Sequence, residues 1–231
     1  MTKSDTLADG GAATVRGVAT RARIIKAASE LVAQKGVTGT RLDDIMAASG
    51  TSKSQIYHYF ADRDALMCAV VEAQSEGVLA FQESCLCRVR SFGDLRAWRN
   101  KIVEINRSKH GVGGCPIGSL ASELADRSEI AREALASSFA RWESQVAYAL
   151  QAIQREGELS PAADIPALAI GIVAALQGGL LLAQTARTTR PLEIALDMAL
   201  EHVNGYATSV VKPEARAVRK RPGRSSKAAK T

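Results

Sequence analysis

The sequence predicts an all-α protein, and three observations carry that expectation. Alanine is abundant while aromatic residues make up only 4% of the chain, a balance that favours helix over sheet. From Thr20 onward apolar residues recur at helical spacing, and residue types that start and stop helices punctuate the pattern. No convincing strand and no internal repeat interrupts it. With 46% hydrophobic and 23% charged residues the chain is not wholly disordered. Its 231 residues suffice for one large domain or two small ones. A chain of that size hides roughly 70% of its unfolded surface without disulfides. Four cysteines are no disulfide framework at this length, and with no signal peptide visible a reducing cytoplasm is expected.

Residues 1–19 are Gly-, Ala-, Thr- and Ser-rich without periodicity and are expected to form a flexible arm. A first helix follows, with Ile24, Ile25, Ala28, Leu31 and Val32 on one face and Gly36 as its stop. Thr40 to Asp43 has capping-box form and opens a short helix that Ser49-Gly50 ends. Ser52-Lys53-Ser54-Gln55 is a second capping box, leading into Ile56, Tyr57 and Phe60. Asp62 caps a fourth start, with a long apolar segment through Leu66, Val70 and Ala73. Beyond it, residues 94–109 carry Leu95, Trp98, Ile102 and Ile105 on one face. The glycines from Gly111 to Gly114 force a loop. A short helix over 117–125 and a long one over 128–156 follow, and Gly157 and Pro161 bracket the next connection. Helices over 165–185 and 192–210 complete the set. Residues 165–183 carry no charge and would span roughly 28 Å as a helix, close to a bilayer core. Their Ala and Gly content, with Pro166 and Gly178-Gly179, favours burial in a soluble core or a subunit interface, so no membrane partner is expected.

Two short helices joined by Ala48-Ser49-Gly50-Thr51 make a helix-turn-helix, in which the first braces the second for the DNA major groove. Gly50 is needed there either for a positive φ or because a side chain would crowd the neighbouring helix. Ile45 and Ile56 are spaced to meet between the two helices. The solvent side of the second offers Ser52, Lys53, Ser54, Gln55, Tyr57 and His58, with no acid until Asp62. Such a set suits a phosphate-lined groove.

The stretch from Thr40 to Leu66 resembles the DNA-binding signature of the TetR family of bacterial transcriptional regulators. Thr40 opens the second helix as in the family pattern, Ser49-Gly50-Thr51-Ser52 stands at the turn, and Tyr57-His58-Tyr59-Phe60 closes the reading helix. Met46 replaces the usual Ala, and Arg63 the usual Lys at the fourth helix. The resemblance implies an N-terminal three-helix helix-turn-helix DNA-binding domain over 20–66. A larger helical effector-binding and dimerisation domain would follow over 67–211. It further implies that Thr40, Ser52, Tyr57 and Arg63 face phosphates. Lys53 would contact phosphate or a guanine edge, and Ser54, Gln55 and His58 would read bases. Gln55 is ambiguous, because a capping box ties its side chain back to Ser52. Tyr59 and Phe60 are expected in the core.

One such motif offers few base contacts, so the expected partner is double-stranded DNA bearing a near-palindromic operator, read by a homodimer. Residues of about 165–206 are the expected interface, with Leu192, Leu196, Ala199, Leu200 and Val203 as a stripe beside the apolar helix. The resemblance also implies a pocket for a small, largely apolar effector. The candidate lining residues are Trp98, Ile102, Cys115, Leu120, Leu124, Phe139, Trp142, Val146, Gln177 and Leu181. The stretch from Gly114 to Leu120, with Leu176 to Gly179, is weakly similar to the LmrA/YxaF-type branch, whose members answer flavonoid-type ligands.

The competing expectation is a DNA-binding regulator controlled by thiol oxidation or a protein partner. Cys115 lies in a Gly-rich loop where it could be exposed, and Cys85 and Cys87 form a close pair. An enzyme is not expected. His58, His110 and His202 are isolated, no zinc spacing occurs, and no cofactor is implied. Gly113 to Gly118 has the glycine spacing of a phosphate-binding loop, but Ser119 stands where Lys is required and Pro116 lacks an N–H. Residues 212–231 carry eight Lys or Arg against the single acid Glu214, and are expected to be a disordered basic tail. That tail dominates the net charge of +6, and either stays solvated or adds nonspecific DNA contact.

Overall fold

The computed structural model describes residues 15–208, and regular structure among them consists of nine helices. They are α1 (Val15–Gly39), α2 (Leu42–Ser49), α3 (Lys53–Tyr59), α4 (Arg63–Leu86), α5 (Phe92–Ser108), α6 (Pro116–Leu124), α7 (Glu129–Arg155), α8 (Ile165–Ala186) and α9 (Arg190–Asn204). An isolated bridge joins Leu159 to Ala207. The all-α expectation holds. The arm expected over 1–19 is already helical from Val15, and residues 1–14 and the basic tail lie outside the described residues.

Capping side chains define most of the starts. Ser52, Asp62, Ser91, Ser128 and Asp164 each accept the backbone N–H three residues on, at 2.7 to 3.4 Å. Thr40 does not cap α2. Gly36 leaves helical geometry (φ +72°, ψ +173°), so its carbonyl needs another donor, and the Thr40 hydroxyl supplies one at 2.7 Å. The N-cap moves to Arg41, whose N–H donates to the Asp44 carboxylate at 3.4 Å. At the other end of α2, Gly50 has φ +62° and donates its N–H to the Met46 carbonyl. A Cβ on Gly50 would meet nothing within 4 Å. The turn therefore requires glycine for its backbone conformation and not for lack of space.

A single apolar cluster runs from Ile24 in α1 to Val203 in α9. Helix α7 packs between α4 and α8, and α8 packs on α9, while α1 rests on α2, α4 and α6. Because α4 has neighbours on several sides, Leu66, Val70, Val71, Leu79 and Leu86 are buried at several angles around it. Helix α8 is the one helix among the described residues long and apolar enough to cross a membrane. Its inner face buries Leu168, Ile172, Val173 and Leu176, whereas Ile170, Leu181 and Leu182 are exposed. The expected α9 stripe divides differently: Leu192, Leu196 and Val203 are buried in the monomer, and Ala199 and Leu200 are half-buried. The apolar side chains that α9 leaves outside are Ile194 and Met198.

Two substitutions test this packing. Leu150→Ala in α7 removes a fully buried side chain, and a loss of about 3 kcal/mol is expected in denaturant unfolding. Gly50→Val forces a β-branched residue into left-handed geometry and is expected to cost about 1–2 kcal/mol in the same assay.

Candidate nucleic-acid interface and effector cavity

Helix α3 has seven residues, too few to persist alone in water. Its start is held by a reciprocal cap: Ser52 Oγ accepts the Gln55 N–H at 3.2 Å, and Gln55 Oε1 accepts the Ser52 N–H at 2.9 Å. Its inner face is anchored by Ile56, buried with Ile45 in the common core, where both line one small cleft with Leu42 and Leu66. Phe60 is buried beneath it, with the Arg21 guanidinium 5.3 Å from its ring, and Tyr59 is half-buried. From α1, Arg23 Nε donates to the Ser49 carbonyl at 2.7 Å and satisfies the end of α2. Ser49 Oγ bonds the Ile45 carbonyl and Thr51 Oγ1, both at 2.6 Å, so the two turn hydroxyls face inward. Lys35 holds the Asp44 carboxyl below its usual range by a direct hydrogen bond at 3.3 Å, aided by the Arg41 N–H.

With that side fixed, Ser52, Lys53, Ser54, Gln55, Tyr57 and His58 are all exposed. Tyr57 is 47% exposed, and Lys53 Nζ lies 6.0 Å from its ring centroid. No carboxylate lies on α3, and the helix N-terminus adds partial positive charge beside Ser52. Gln55 resolves its ambiguity in part: its carbonyl is engaged with Ser52, leaving its amide protons to donate outward.

Of the expected phosphate-facing residues, Thr40 does not join this face, and exposed Arg63 commits one of its nitrogens elsewhere. Thr40 is 1% exposed and turned toward Gly36. Arg63 directs Nη2 to the Val37 and Thr40 carbonyls at 2.7 and 3.0 Å, so that nitrogen splints the kinked end of α1 and its junction with α2. Neither the Arg63 splint nor the Arg23 brace has a local sequence signal, because their partners lie more than twenty residues away, and the Thr40 bond follows from the break that Gly36 makes in α1.

The larger body holds a cavity of about 390 Å³. Helix α4 contributes Gln74, Val78, Phe81 and Gln82, α5 contributes Ile102, Ile105 and Asn106, and Lys109 follows as the α5 C-cap. Val112, Cys115 and Pro116 also line it, with Trp142 of α7 and Leu176 and Leu180 of α8. Of the expected lining residues only Ile102, Cys115 and Trp142 wall this cavity. Trp98 lies outside it and donates its indole N–H to Gln82 Oε1 at 2.9 Å. Leu120, Leu124 and Val146 are core, and Phe139 is half-buried elsewhere. Gln177 and Leu181 line a separate outer groove, Leu181 being 63% exposed. Spacing defines a stripe on a helix but not the angle at which tertiary packing turns it.

Lys109 is the one charged side chain in the cavity wall. Trp142 is 1% exposed, and its indole N–H and the buried Asn106 Oδ1 have no hydrogen-bond partner. Cys115 is buried, not exposed, at the N-cap of α6, and its sulfur accepts the Gln177 amide at 3.4 Å. Cys68, Cys85 and Cys87 are also free thiols. Among the described residues no group of three or more His, Cys, Asp or Glu could hold a metal ion.

Comparison with known proteins assigns both halves. Residues 24–70 match the model for bacterial regulatory proteins of the tetR family, and residues 86–199 that for the tetracyclin repressor-like C-terminal domain. An uncharacterized HTH-type transcriptional regulator from the lacX 3' region of Lactococcus lactis is 30% identical over 187 residues, 78% of this chain and 90% of that one. LmrA of Bacillus subtilis is 27% identical over 176 residues, 74% and 90% of the two chains. The crystal structure of a TetR transcriptional regulator from Chloroflexus aurantiacus is 27% identical, with a TM-score of 0.72 over 84% of this chain and 98% of that one. The braced, acid-free reading helix on an all-helical body and these similarities lead to one conclusion: the chain belongs to the TetR family of DNA-binding transcriptional regulators, which are not enzymes.

Proposed function

We propose that this regulator is a cytoplasmic repressor, a homodimer bound to a near-palindromic operator and released when a small, largely apolar effector fills the α4–α5–α7–α8 cavity. The observation that carries this reading is the exposed, carboxylate-free set from Ser52 to His58 on a helix whose opposite face is locked into the core. Residues 20–66 act as the reading head, and residues 67–211 sense and dimerise. Lys53, Ser52 and Tyr57 set register on phosphates, while Ser54, His58 and the Gln55 amide read base edges.

Two-fold pairing puts half-sites about one DNA turn apart, roughly 34–36 Å. Exposed apolar side chains support pairing: Ile170, Leu181 and Leu182 on α8 and Ile194 and Met198 on α9, two helices that pack on each other. Apolar walls at Phe81, Ile102, Trp142 and Leu176 suit a planar apolar ligand. Lys109, with the unpartnered groups of Asn106 and Trp142, suits one polar end on it. Release requires that the ligand bind the DNA-incompetent arrangement more tightly than the competent one. Control by thiol oxidation at Cys115 has less support, since that residue is buried and engaged by Gln177, while of the Cys85 and Cys87 pair Cys87 is exposed.

Selection from random duplexes with the purified chain is expected to enrich an inverted repeat. Absence of any salt-dependent duplex binding sinks the reading. Lys53→Ala is expected to weaken binding across sequences and lower the salt slope by about one, with unchanged thermal stability. Met198→Asp is expected to yield monomers in sedimentation and to lose about a hundredfold in operator affinity, because the second half-site no longer binds intramolecularly.

A further inference from the structure

The segment from the Gly36 kink of α1 to the start of α2, a loop in its course though α1 formally runs to Gly39, is gripped from the larger body by one carboxylate. Glu123 Oε2, near the C-terminal end of α6, accepts the Val37 N–H at 2.9 Å and the Thr38 N–H at 3.2 Å. Arg127, just beyond α6, donates to Thr38 Oγ1 at 3.0 Å. From the reading head's side, Arg63 holds the Val37 and Thr40 carbonyls of the same loop. The carboxylate's approach depends on Gly36, whose φ of +72° breaks α1 and frees the following amides. A Cβ at Gly36 would stand 2.9 Å from Glu123 Oε1.

Helix α6 is nine residues, about 13 Å long, and is anchored by buried Ile117, Leu120 and Leu124, so it moves as a unit. Its opposite end is Cys115-Pro116, which walls the cavity and is tied to α8 through Gln177. The loop is thus referenced to α8 through one rigid rod. An angular change at residues 36–40 is magnified at α3, and in a dimer it changes the distance between two reading heads.

We infer that Glu123 is a positioning residue which sets the angle of the reading head against the larger body, and thereby the half-site spacing the dimer accepts. This rests on the dimeric reading of an inverted repeat proposed above. A carboxylate shared by two adjacent amides is a charge-assisted contact with directional preference, unlike the apolar contacts around it. Neutralising it leaves the core of α6 intact and removes the angular restraint.

The test uses the full-length chain and the duplex it selects, with the spacer between half-sites shortened or lengthened by one and two base pairs. The wild-type protein is expected to prefer one spacing by about tenfold per step. Glu123→Ala is expected to flatten that profile to within about threefold while retaining the half-site sequence preference. Glu123→Gln, with one weaker acceptor left, falls between the two. Gly36→Ala, which pushes on the carboxylate from the loop side, flattens the profile in the same way. Faster hydrogen exchange at the Val37 and Thr38 amides in Glu123→Gln accompanies the effect, and this readout holds even if Glu123→Ala folds poorly. Spacing profiles of Glu123→Gln and Gly36→Ala that superpose on the wild type overturn the inference. A wild-type protein that selects only single half-sites overturns the dimeric reading instead.

Discussion

Seven residues of helix cannot hold themselves together in water, and the function of this molecule depends on α3 being held. The restraint comes from two directions. At the N-terminus the Ser52–Gln55 exchange satisfies backbone donors that would otherwise stay open. Beneath, Ile56 and Phe60 are sunk in a core that continues through Ile24 and Ile45. The apolar anchors lie on one side of the helix, so the opposite side can carry polar groups, of which Ser52 and Gln55 also serve the cap. A rigid, outward set of hydroxyl, amide, cation and imidazole follows from that division of labour.

The hydrogen bonds that support the reading head are mostly to backbone carbonyls and amides and not to other side chains. Arg23 meets Ser49, Arg63 meets Val37 and Thr40, and Glu123 meets Val37 and Thr38. Backbone groups at helix ends and kinks have no helical partner, and a charged side chain that fills the vacancy fixes both direction and distance. In the larger body some buried side-chain polar groups stay without a partner. An unsatisfied buried donor or acceptor costs about 1–3 kcal/mol, so the orphan groups on Trp142 and Asn106 favour any occupant that completes them.

Helix α8 shows how one composition serves two surfaces. Its inner face packs on α7 and α9, and its outer face keeps Ile170, Leu181 and Leu182 in contact with solvent in the monomer. A helix apolar on all sides is stable in water only when both faces are covered. That physical requirement, more than any individual contact, is the argument for a second copy.

The amino-acid sequence by itself determined the all-helical class and most helix starts. It also determined the turn at Gly50 and the polar side of α3, because capping, left-handed turns and short-range periodicity are decided within a few residues. Tertiary structure decided the rest. Thr40 turned inward once Gly36 broke α1, and Arg63 was drawn to loop carbonyls more than twenty residues away. Leu192 and Leu196 proved to be monomer core, while Ile194 and Met198 face out. Trp98 found a partner in Gln82, Trp142 found none, and the cavity took Phe81, Asn106 and Lys109, which spacing did not single out. Periodicity fixes which residues share a helix face. Only the packing of helices against one another fixes which way that face turns, and with it what a distant carboxylate, guanidinium or indole can reach.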